Sequence, residues 1–185
     1  VWVAAAAEQF DGFADLIVGA HNADPGGDNF AGESNVVFGR ASGFAAAIDL
    51  SSLDGVNGFR LDGIDAEDSS GFSVASAGDV NGDGFADLIV GALGGDPGGD
   101  LSAGESYVVF GKASGFAAAI NLASLDGNNG FRLDGIDAND SSGLSVASAG
   151  DVNGDGFADL IIGALRADPG GDGNGHAASG DRQGD

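Results

Sequence analysis

The chain has 185 residues and a formal net charge of −23, because 29 residues are acidic and only 6 are basic. Such an acidic surface repels nucleic acid and anionic membranes, so neither is expected as a partner. The absence of cysteine excludes disulfides and thiolate metal sites, and the sequence has no apolar run of about 18 residues that would predict membrane insertion.

The amino-terminal segment carries the weakest copy of a motif that recurs later in the chain. Gln9, Asp11 and Asp15, with the Phe13 carbonyl, have the spacing of a calcium loop, but Ala7 stands where the first carboxylate belongs. A remnant with so few ligands holds calcium poorly, so we expect weak binding or none. The segment lacks a basic region and is not expected to be a signal peptide.

An intact copy of the motif begins at Asp79. Asp79, Asn81, Asp83 and Asp87 occupy positions 1, 3, 5 and 9 of a loop, and the Phe85 carbonyl stands at position 7. Calcium prefers six to eight oxygen ligands that mix carboxylate, amide and backbone carbonyl groups. The loop is not an EF-hand, because an apolar residue replaces the glutamate required at position 12. We therefore predict a calcium loop that leads directly into a buried strand.

The same loop returns 72 residues later, from Asp83 to Asp155. A single copy is also explained by a solvated acidic turn, since Asp, Asn and Gly all favour turns. Two intact copies, each followed by the same apolar run, favour two calcium sites. The second copy is formed by Asp151, Asn153, Asp155, the Phe157 carbonyl and Asp159.

Four segments of each 72-residue unit have the composition of short strands, and 36 glycines indicate many tight turns. Four-stranded units repeated radially build a β-propeller, with a β-solenoid as the alternative. Phe116–Ile120 has a composition compatible with a single helical turn, but the stretch is too short to form a stable helix alone. The strand segments are Ser73–Gly78, Leu88–Val90, Glu105–Gly111 and Gly130–Ile136, with earlier equivalents at Glu33–Gly39 and Gly58–Ile64.

The fold class predicted is therefore all-β, a partial propeller of about two and a half blades. The units are residues 1–72 with the degenerate loop, 73–144 with an intact loop, 145–172 as a partial repeat, and 173–185 as a flexible tail. An incomplete blade exposes strand edges, so we expect self-association or completion by the remainder of a larger propeller.

Other acidic segments are interpreted more conservatively. Asp-Pro-Gly-Gly-Asp occurs at residues 24–28, 96–100 and 168–172 and predicts turns, with an accessory cation site as the alternative. Residues 62–68 and 134–140 are predicted to be solvated loops. Arg60 and Arg132 are expected to pair with nearby carboxylates, with anion binding as the alternative.

No catalytic residues are predicted. The two histidines, His21 and His176, have no equivalents in the other repeats, and no serine lies in a nucleophile-elbow pattern. The many carboxylates leave a metal-dependent hydrolase as an alternative.

Ser70–Ala92 resembles the FG-GAP repeat of integrin α-subunit propellers and of bacterial extracellular proteins. The resemblance implies a seven-bladed propeller with calcium loops on one rim, and it implies the same ligands in the loop that begins at Asp79. Two elements depart from the pattern: Phe-Gly appears as Gly71-Phe72 and Gly143-Leu144. The last proline of Gly-Ala-Pro is replaced by His21, Leu93 and Leu165.

The function that follows is a calcium-binding scaffold for extracellular or cell-surface binding and adhesion, with a protein or carbohydrate as its ligand. The alternative is a structural repeat segment within a larger secreted enzyme or toxin.

Overall fold

The computed structural model describes residues 2–8, 13–113 and 115–168, and within them the regular structure consists of strands and short 3-10 turns. The predicted all-β class is thus confirmed. None of the described helices is long and apolar enough to cross a membrane. The strands are β1 (Trp2–Glu8), β2 (Ala14–Ala20), β3 (Glu33–Val37), β4 (Gly58–Asp62), β5 (Ser70–Gly78), β6 (Asp87–Ala92), β7 (Glu105–Val109), β8 (Ala119–Asn121), β9 (Gly130–Asp134), β10 (Ser142–Gly150) and β11 (Asp159–Ala164).

These strands form three sheets that we call blades. Blade 1 has the order β1-β2-β3-β4 with β8 added at its outer edge, blade 2 has the order β5-β6-β7-β9, and blade 3 is the pair β10-β11. Neighbouring strands are antiparallel except for β4 and β8, which are parallel. The four-stranded unit predicted from the repeat is confirmed.

The strand register repeats together with the sequence. Leu16 pairs with Val37 in blade 1, and Leu88 pairs with Val109 in blade 2, each 72 positions further on. Every residue of β6 is buried, because blade 1 covers one of its faces and blade 3 covers the other. In β11, Leu160 and Ile162 pack against the second cluster, whereas Ile161 on the opposite face is 61% exposed.

The hydrophobic core lies between the blades rather than inside any one of them. The larger cluster joins Ile17, Phe59 and Leu61 of blade 1 to residues of blade 2 that include Val90 and Tyr107. A second cluster joins blade 2 to blade 3 in the same way. Each blade therefore buries its apolar residues only when a neighbouring blade covers them, as expected for repeat architectures.

Glycine allows the inner strands of adjacent blades to approach each other. A Cβ atom on Gly19 would overlap the carbonyl oxygen of Gly71, and a Cβ atom on Gly91 would overlap that of Gly143. The hydroxyl of Ser73 also donates a hydrogen bond of 2.8 Å to the Gly143 carbonyl. A side chain at these positions would force the blades apart.

Phe116–Ile120 does not form the helical turn that its composition allows. The end of this segment belongs to β8, which crosses to blade 1 and pairs with β4; the Arg60 N–H donates to the Ala118 carbonyl at 2.9 Å. A 3-10 turn follows only at Leu122–Ser124. The extended form prevails because it pairs the backbone with a strand edge and stacks the Phe116 ring on Phe59, with centroids 4.2 Å apart.

Candidate metal centre

Each intact acidic loop connects the two innermost strands of a blade. The first loop runs from Gly78 to Asp87, which are paired residues of β5 and β6. The second loop runs from Gly150 to Asp159, which pair in the same way between β10 and β11. Both loops therefore leave and enter the sheet at equivalent points, and their side chains occupy equivalent positions.

The backbone of the first loop wraps around the carboxylate of Asp79. The N–H groups of Gly82 and Asp83 donate to its Oδ1 at 2.7 and 3.2 Å, and the N–H of Gly84 donates to its Oδ2 at 2.9 Å. Gly82 and Gly84 have φ of +76° and +89°, a conformation that glycine adopts without strain. The loop is thus a tight turn that holds its first carboxylate at the centre.

The side chains at positions 3 and 5 of the first loop, Asn81 and Asp83, also accept hydrogen bonds from the loop backbone. Asn81 Oδ1 accepts the Asp83 N–H at 2.9 Å, and Asp83 Oδ1 accepts the Phe85 N–H at 2.8 Å. The Asn81 amide also donates to Asp83 Oδ2 at 2.9 Å. The oxygens at positions 1, 3 and 5 are therefore oriented by the backbone of the loop itself.

The second loop reproduces this arrangement. The carboxylate of Asp151 accepts the N–H groups of Gly154, Asp155 and Gly156 at 2.7, 3.1 and 2.9 Å. Asn153 Oδ1 accepts the Asp155 N–H at 2.9 Å. The loop conformation is consequently a property of the nine-residue motif and not of one local environment.

The two loops lie in contact with each other. The Ala158 N–H donates to the carbonyl oxygen of Asp79 at 2.9 Å. The ring of Phe157 lies against Gly82, where any Cβ atom would collide with it. The backbone of the second loop therefore supports the first.

The carboxylate at position 9 ties the loop to the sheet. Asp87 is fully buried, and its two oxygens accept the N–H groups of Val80 and Gly111, both at 2.8 Å. Asp15, its equivalent in blade 1, is also buried and accepts the Gly39 N–H at 2.8 Å. The ninth position thus has a structural role that persists where the rest of the motif is degenerate.

Burial raises the pKa of Asp87, because the charged form loses its hydration. The hydrogen bonds from Gly111 and Val80 oppose this effect, while the nearby carboxylates of Asp83 and Asp79 raise the pKa further. A divalent cation among these three carboxylates would remove that repulsion.

The oxygen donors of each loop are of the kinds that calcium prefers, since each loop supplies three carboxylates, one amide oxygen and a backbone carbonyl within nine residues. Among the described residues, however, no group of three or more acidic or histidine side chains stands close enough together to hold a metal. In the degenerate first copy, Gln9 and Asp11 lie outside the described residues, as do the predicted tail and His176.

The prediction of solvated loops at 62–68 and 134–140 is wrong for one acidic residue in each. Asp68 and Asp140 are buried, each 5% exposed, while Asp65 and Glu67 beside them are exposed. Burial raises the pKa of Asp68 to about 6, and Glu105, among other nearby carboxylates, adds to the rise. The sequence signal was the Asp-Ser-Ser triplet at the start of β5 and β10, which occurs in both repeats.

The arginine pairings and two of the three predicted Asp-Pro-Gly-Gly-Asp turns are confirmed, and the third turn, at 168–172, lies outside the described residues apart from Asp168. Arg60 pairs with Asp62 and with Glu33 at 3.7 Å, and Arg132 pairs with Asp134 and with Glu105 at 3.1 Å. Pro25–Gly27 and Pro97–Gly99 form 3-10 turns. The anion site and the accessory cation site remain unsupported alternatives.

The family model of the FG-GAP repeat matches the chain twice, at residues 70–109 and 142–179. Each match begins at an inner strand, β5 or β10, and includes one intact acidic loop.

Proposed function

The chain is an FG-GAP repeat protein, and from this premise we propose that its two intact acidic loops bind calcium and that the blades serve as an extracellular binding scaffold. FG-GAP repeats are propeller-type modules often found in extracellular binding proteins. The observation that carries the calcium proposal is the identical set of backbone N–H groups around Asp79 and Asp151. Through that set the loop backbone orients the carboxylate oxygens at position 1.

In the first loop, calcium would be held by Asp79, Asn81, Asp83 and Asp87 together with the Phe85 carbonyl. The ion would supply positive charge between carboxylates that otherwise repel one another. In the second loop, the equivalent ligands are Asp151, Asn153, Asp155, the Phe157 carbonyl and Asp159. The chain itself supplies the tight turn, the orientation of each oxygen and the attachment to the sheet.

The scaffold proposal follows from the architecture. The loops lie at the ends of the inner strands, whose side chains form the core between blades. An ion bound in each loop would therefore stabilise the surface that the loops form at that end of the blades. A protein or carbohydrate ligand is proposed for that surface. The described residues offer no constellation that favours a hydrolase over this function.

The test is a calorimetric calcium titration of the chelator-stripped chain, with magnesium as the comparison ion. We expect two calcium sites, one of which is lost in Asp83→Asn and both in the Asp83→Asn/Asp155→Asn double variant. Asp137→Asn is the matched control, because it removes the same charge from an exposed position outside the loops. Unchanged stoichiometry in the double variant would overturn the proposal.

Calcium should also raise the melting temperature of the intact chain, since a ligand that binds only the folded state stabilises it by mass action. Scanning calorimetry with and without EDTA measures this effect. Equal melting temperatures would show that the ion has no structural role.

A further inference from the structure

A cleft of about 440 Å³ lies between the end of β7 and the segment that contains β8 and runs on to β9. We call it the blade-2 cleft. Phe110 and Leu125 contribute to its apolar walls. Its uncharged and positively charged polar lining consists of Lys112, Asn121, Ser124, Asn128 and Asn129. A volume of about 300–1,000 Å³ and apolar walls with a few polar groups are typical of sites for small molecules.

The same cleft recurs in blade 1, where it has a volume of about 220 Å³ and is lined by Phe38 and Leu53 in place of Phe110 and Leu125. It remains open although the segment of the following blade is already in place beside it, with the ring centroid of Phe116 5.8 Å from that of Phe38. A neighbouring blade therefore does not fill this position, and the cleft is a feature of the repeat itself.

An unpaired cation stands at the edge of the blade-2 cleft. Lys112 Nζ lies 4.8 Å from the ring centroid of Phe116, and this ring stacks on Phe59 of blade 1. The attraction between the ammonium group and the ring holds the side chain beside the cleft. Among the described residues Lys112 forms no ion pair, whereas Arg60 and Arg132 are paired with carboxylates. The ammonium group is therefore available to an anionic ligand.

The blade-2 cleft also differs from its blade-1 equivalent in the residues that surround it. Asn121 and Asn128 stand where blade 1 has Asp49 and Val56. Asn121 Oδ1 accepts the backbone N–H two residues further on at 2.8 Å, and Asp49 Oδ1 accepts the equivalent N–H at 3.0 Å. Asparagine thus keeps the role of the side chain in the backbone turn, while it removes a negative charge and adds amide donors.

We propose that the blade-2 cleft binds a uronic acid, a sugar that carries one carboxylate beside several hydroxyl groups. Lys112 donates a charge-assisted hydrogen bond to the carboxylate, and the amides of Asn121 and Asn128 bind the hydroxyls. The apolar face of the sugar ring packs on Phe110 and Leu125. This inference rests on the proposed binding scaffold and deepens it, because it gives the scaffold a carbohydrate ligand of defined charge and a site on the chain.

The carboxylate of Asp83 also lines the cleft, and its charge opposes an anionic ligand. A cation in the loop that begins at Asp79 would offset this charge. The other negative charges of the chain act weakly on the site, since charges further away than about 8 Å are largely screened at physiological salt. Binding of a uronic acid therefore depends on Lys112, and the experiment is carried out in excess calcium.

The probe is methyl β-D-glucuronide, titrated against the full chain and followed by NMR chemical shifts. We expect saturable binding with a dissociation constant on the order of 1 mM, as for a ligand of this size. Methyl β-D-glucoside, its neutral counterpart, should bind at least about tenfold more weakly. Equal affinity of the two sugars, or no saturable binding, would overturn the proposal. Tighter binding of N-acetylglutamate amide would replace the sugar by an acidic peptide and overturn it as well.

Two substitutions test the lining of the cleft. Lys112→Gln removes the cation, and Asn121→Asp restores the blade-1 residue together with its acceptor for the backbone N–H, so that the turn is kept. Each should weaken binding of the glucuronide at least about tenfold. Arg40→Gln, which removes the equivalent cation of blade 1, is the matched control and should leave the affinity unchanged. Unchanged affinity in Lys112→Gln, or an equal loss in Arg40→Gln, would overturn the proposal.

A calcium titration of the same samples separates this proposal from the proposed function on which it rests. Two calcium sites without saturable binding of the glucuronide would overturn the uronic acid site alone. Binding of the glucuronide that depends on Lys112, in a chain that takes up no calcium, would support the cleft and overturn the calcium proposal alone.

Discussion

The backbone N–H of Ala158 donates a 2.9 Å hydrogen bond to the carbonyl oxygen of Asp79, although the two residues belong to different blades. The bond joins the second acidic loop to the first, and the Phe157 ring packs against Gly82 beside it. A disturbance in the second loop should therefore reach the first.

The first prediction concerns this coupling. In an Asp155→Asn background, which disables the second loop, Phe157→Ala should weaken calcium binding at the first loop by about three- to tenfold, in line with coupling energies of about 1 kcal/mol between contacting residues. Calorimetric titration measures the affinity. Leu101→Ala in the same background is the control, and equal affinities for the two variants would contradict the coupling.

The second prediction separates the structural role of the ninth position from metal binding. Asp15→Ala removes the acceptor of the buried Gly39 N–H. We expect the free energy of unfolding to fall by about 1–3 kcal/mol, because a buried donor is left unsatisfied. Denaturant unfolding measures the change. Calcium stoichiometry should stay the same, whereas Asp83→Asn should lower the stoichiometry; any loss of a site in Asp15→Ala would count against a purely structural role.

The third prediction concerns the contact between blades. Gly91→Ala places a methyl group onto the Gly143 carbonyl, so we expect a loss of at least about 2 kcal/mol in the free energy of unfolding. Gly163→Ala is the matched control from the next repeat. Its nearest neighbour is the Ser145 hydroxyl, which can rotate away. Equal effects of the two substitutions, measured by thermal unfolding, would contradict the proposed role of Gly91.

The fourth prediction concerns Asp68. Its pKa in the folded state is about 6, above the ordinary 3.8, so the folded chain binds more protons than the unfolded chain between these values. This contribution therefore favours folding below about pH 4 and is lost as pH rises through 6. The difference corresponds to up to about 3 kcal/mol.

Asp68→Asn should flatten the stability profile between about pH 4 and 6 and stabilise the chain at pH 7. Unfolding in EDTA-containing buffer isolates the effect from calcium. The neighbouring carboxylates that contribute to the raised pKa are Glu105, Asp65 and Asp96. Asp65→Asn, a substitution at an exposed position, should leave most of the pH dependence of the free energy of unfolding in place. If Asp68→Asn also leaves that pH dependence unchanged, another titrating group is responsible for it.

The acidic loop and the strands beside it were predictable because their signals are local. The alternation of oxygen side chains, the two turn glycines and the apolar run after Asp87 lie within a dozen residues. The role of Asp87 as an anchor was not predictable in this way. Its partner Gly111 is 24 residues away, and only the pairing of β6 with β7 brings the two together.

The segment Phe116–Ile120 shows the same limit. Its sequence contains three alanines and suits a helical turn by propensity. The β4 edge and the ring of Phe59 that hold it extended belong to another blade, more than 50 residues earlier in the chain. The prediction for Asp68 failed for a related reason, because Gly94 and Glu105 of blade 2, which lie near it, are more than 25 residues away in the sequence.

The sequence by itself determined the 72-residue period, the four strands of each unit and the oxygen donors of the two intact loops, because each depends on residues close together in the chain. Only the tertiary structure decided which blade β8 joins and which carboxylates are buried. Those features arise where blades meet, and the free energy of burial and of edge pairing there outweighs local propensity.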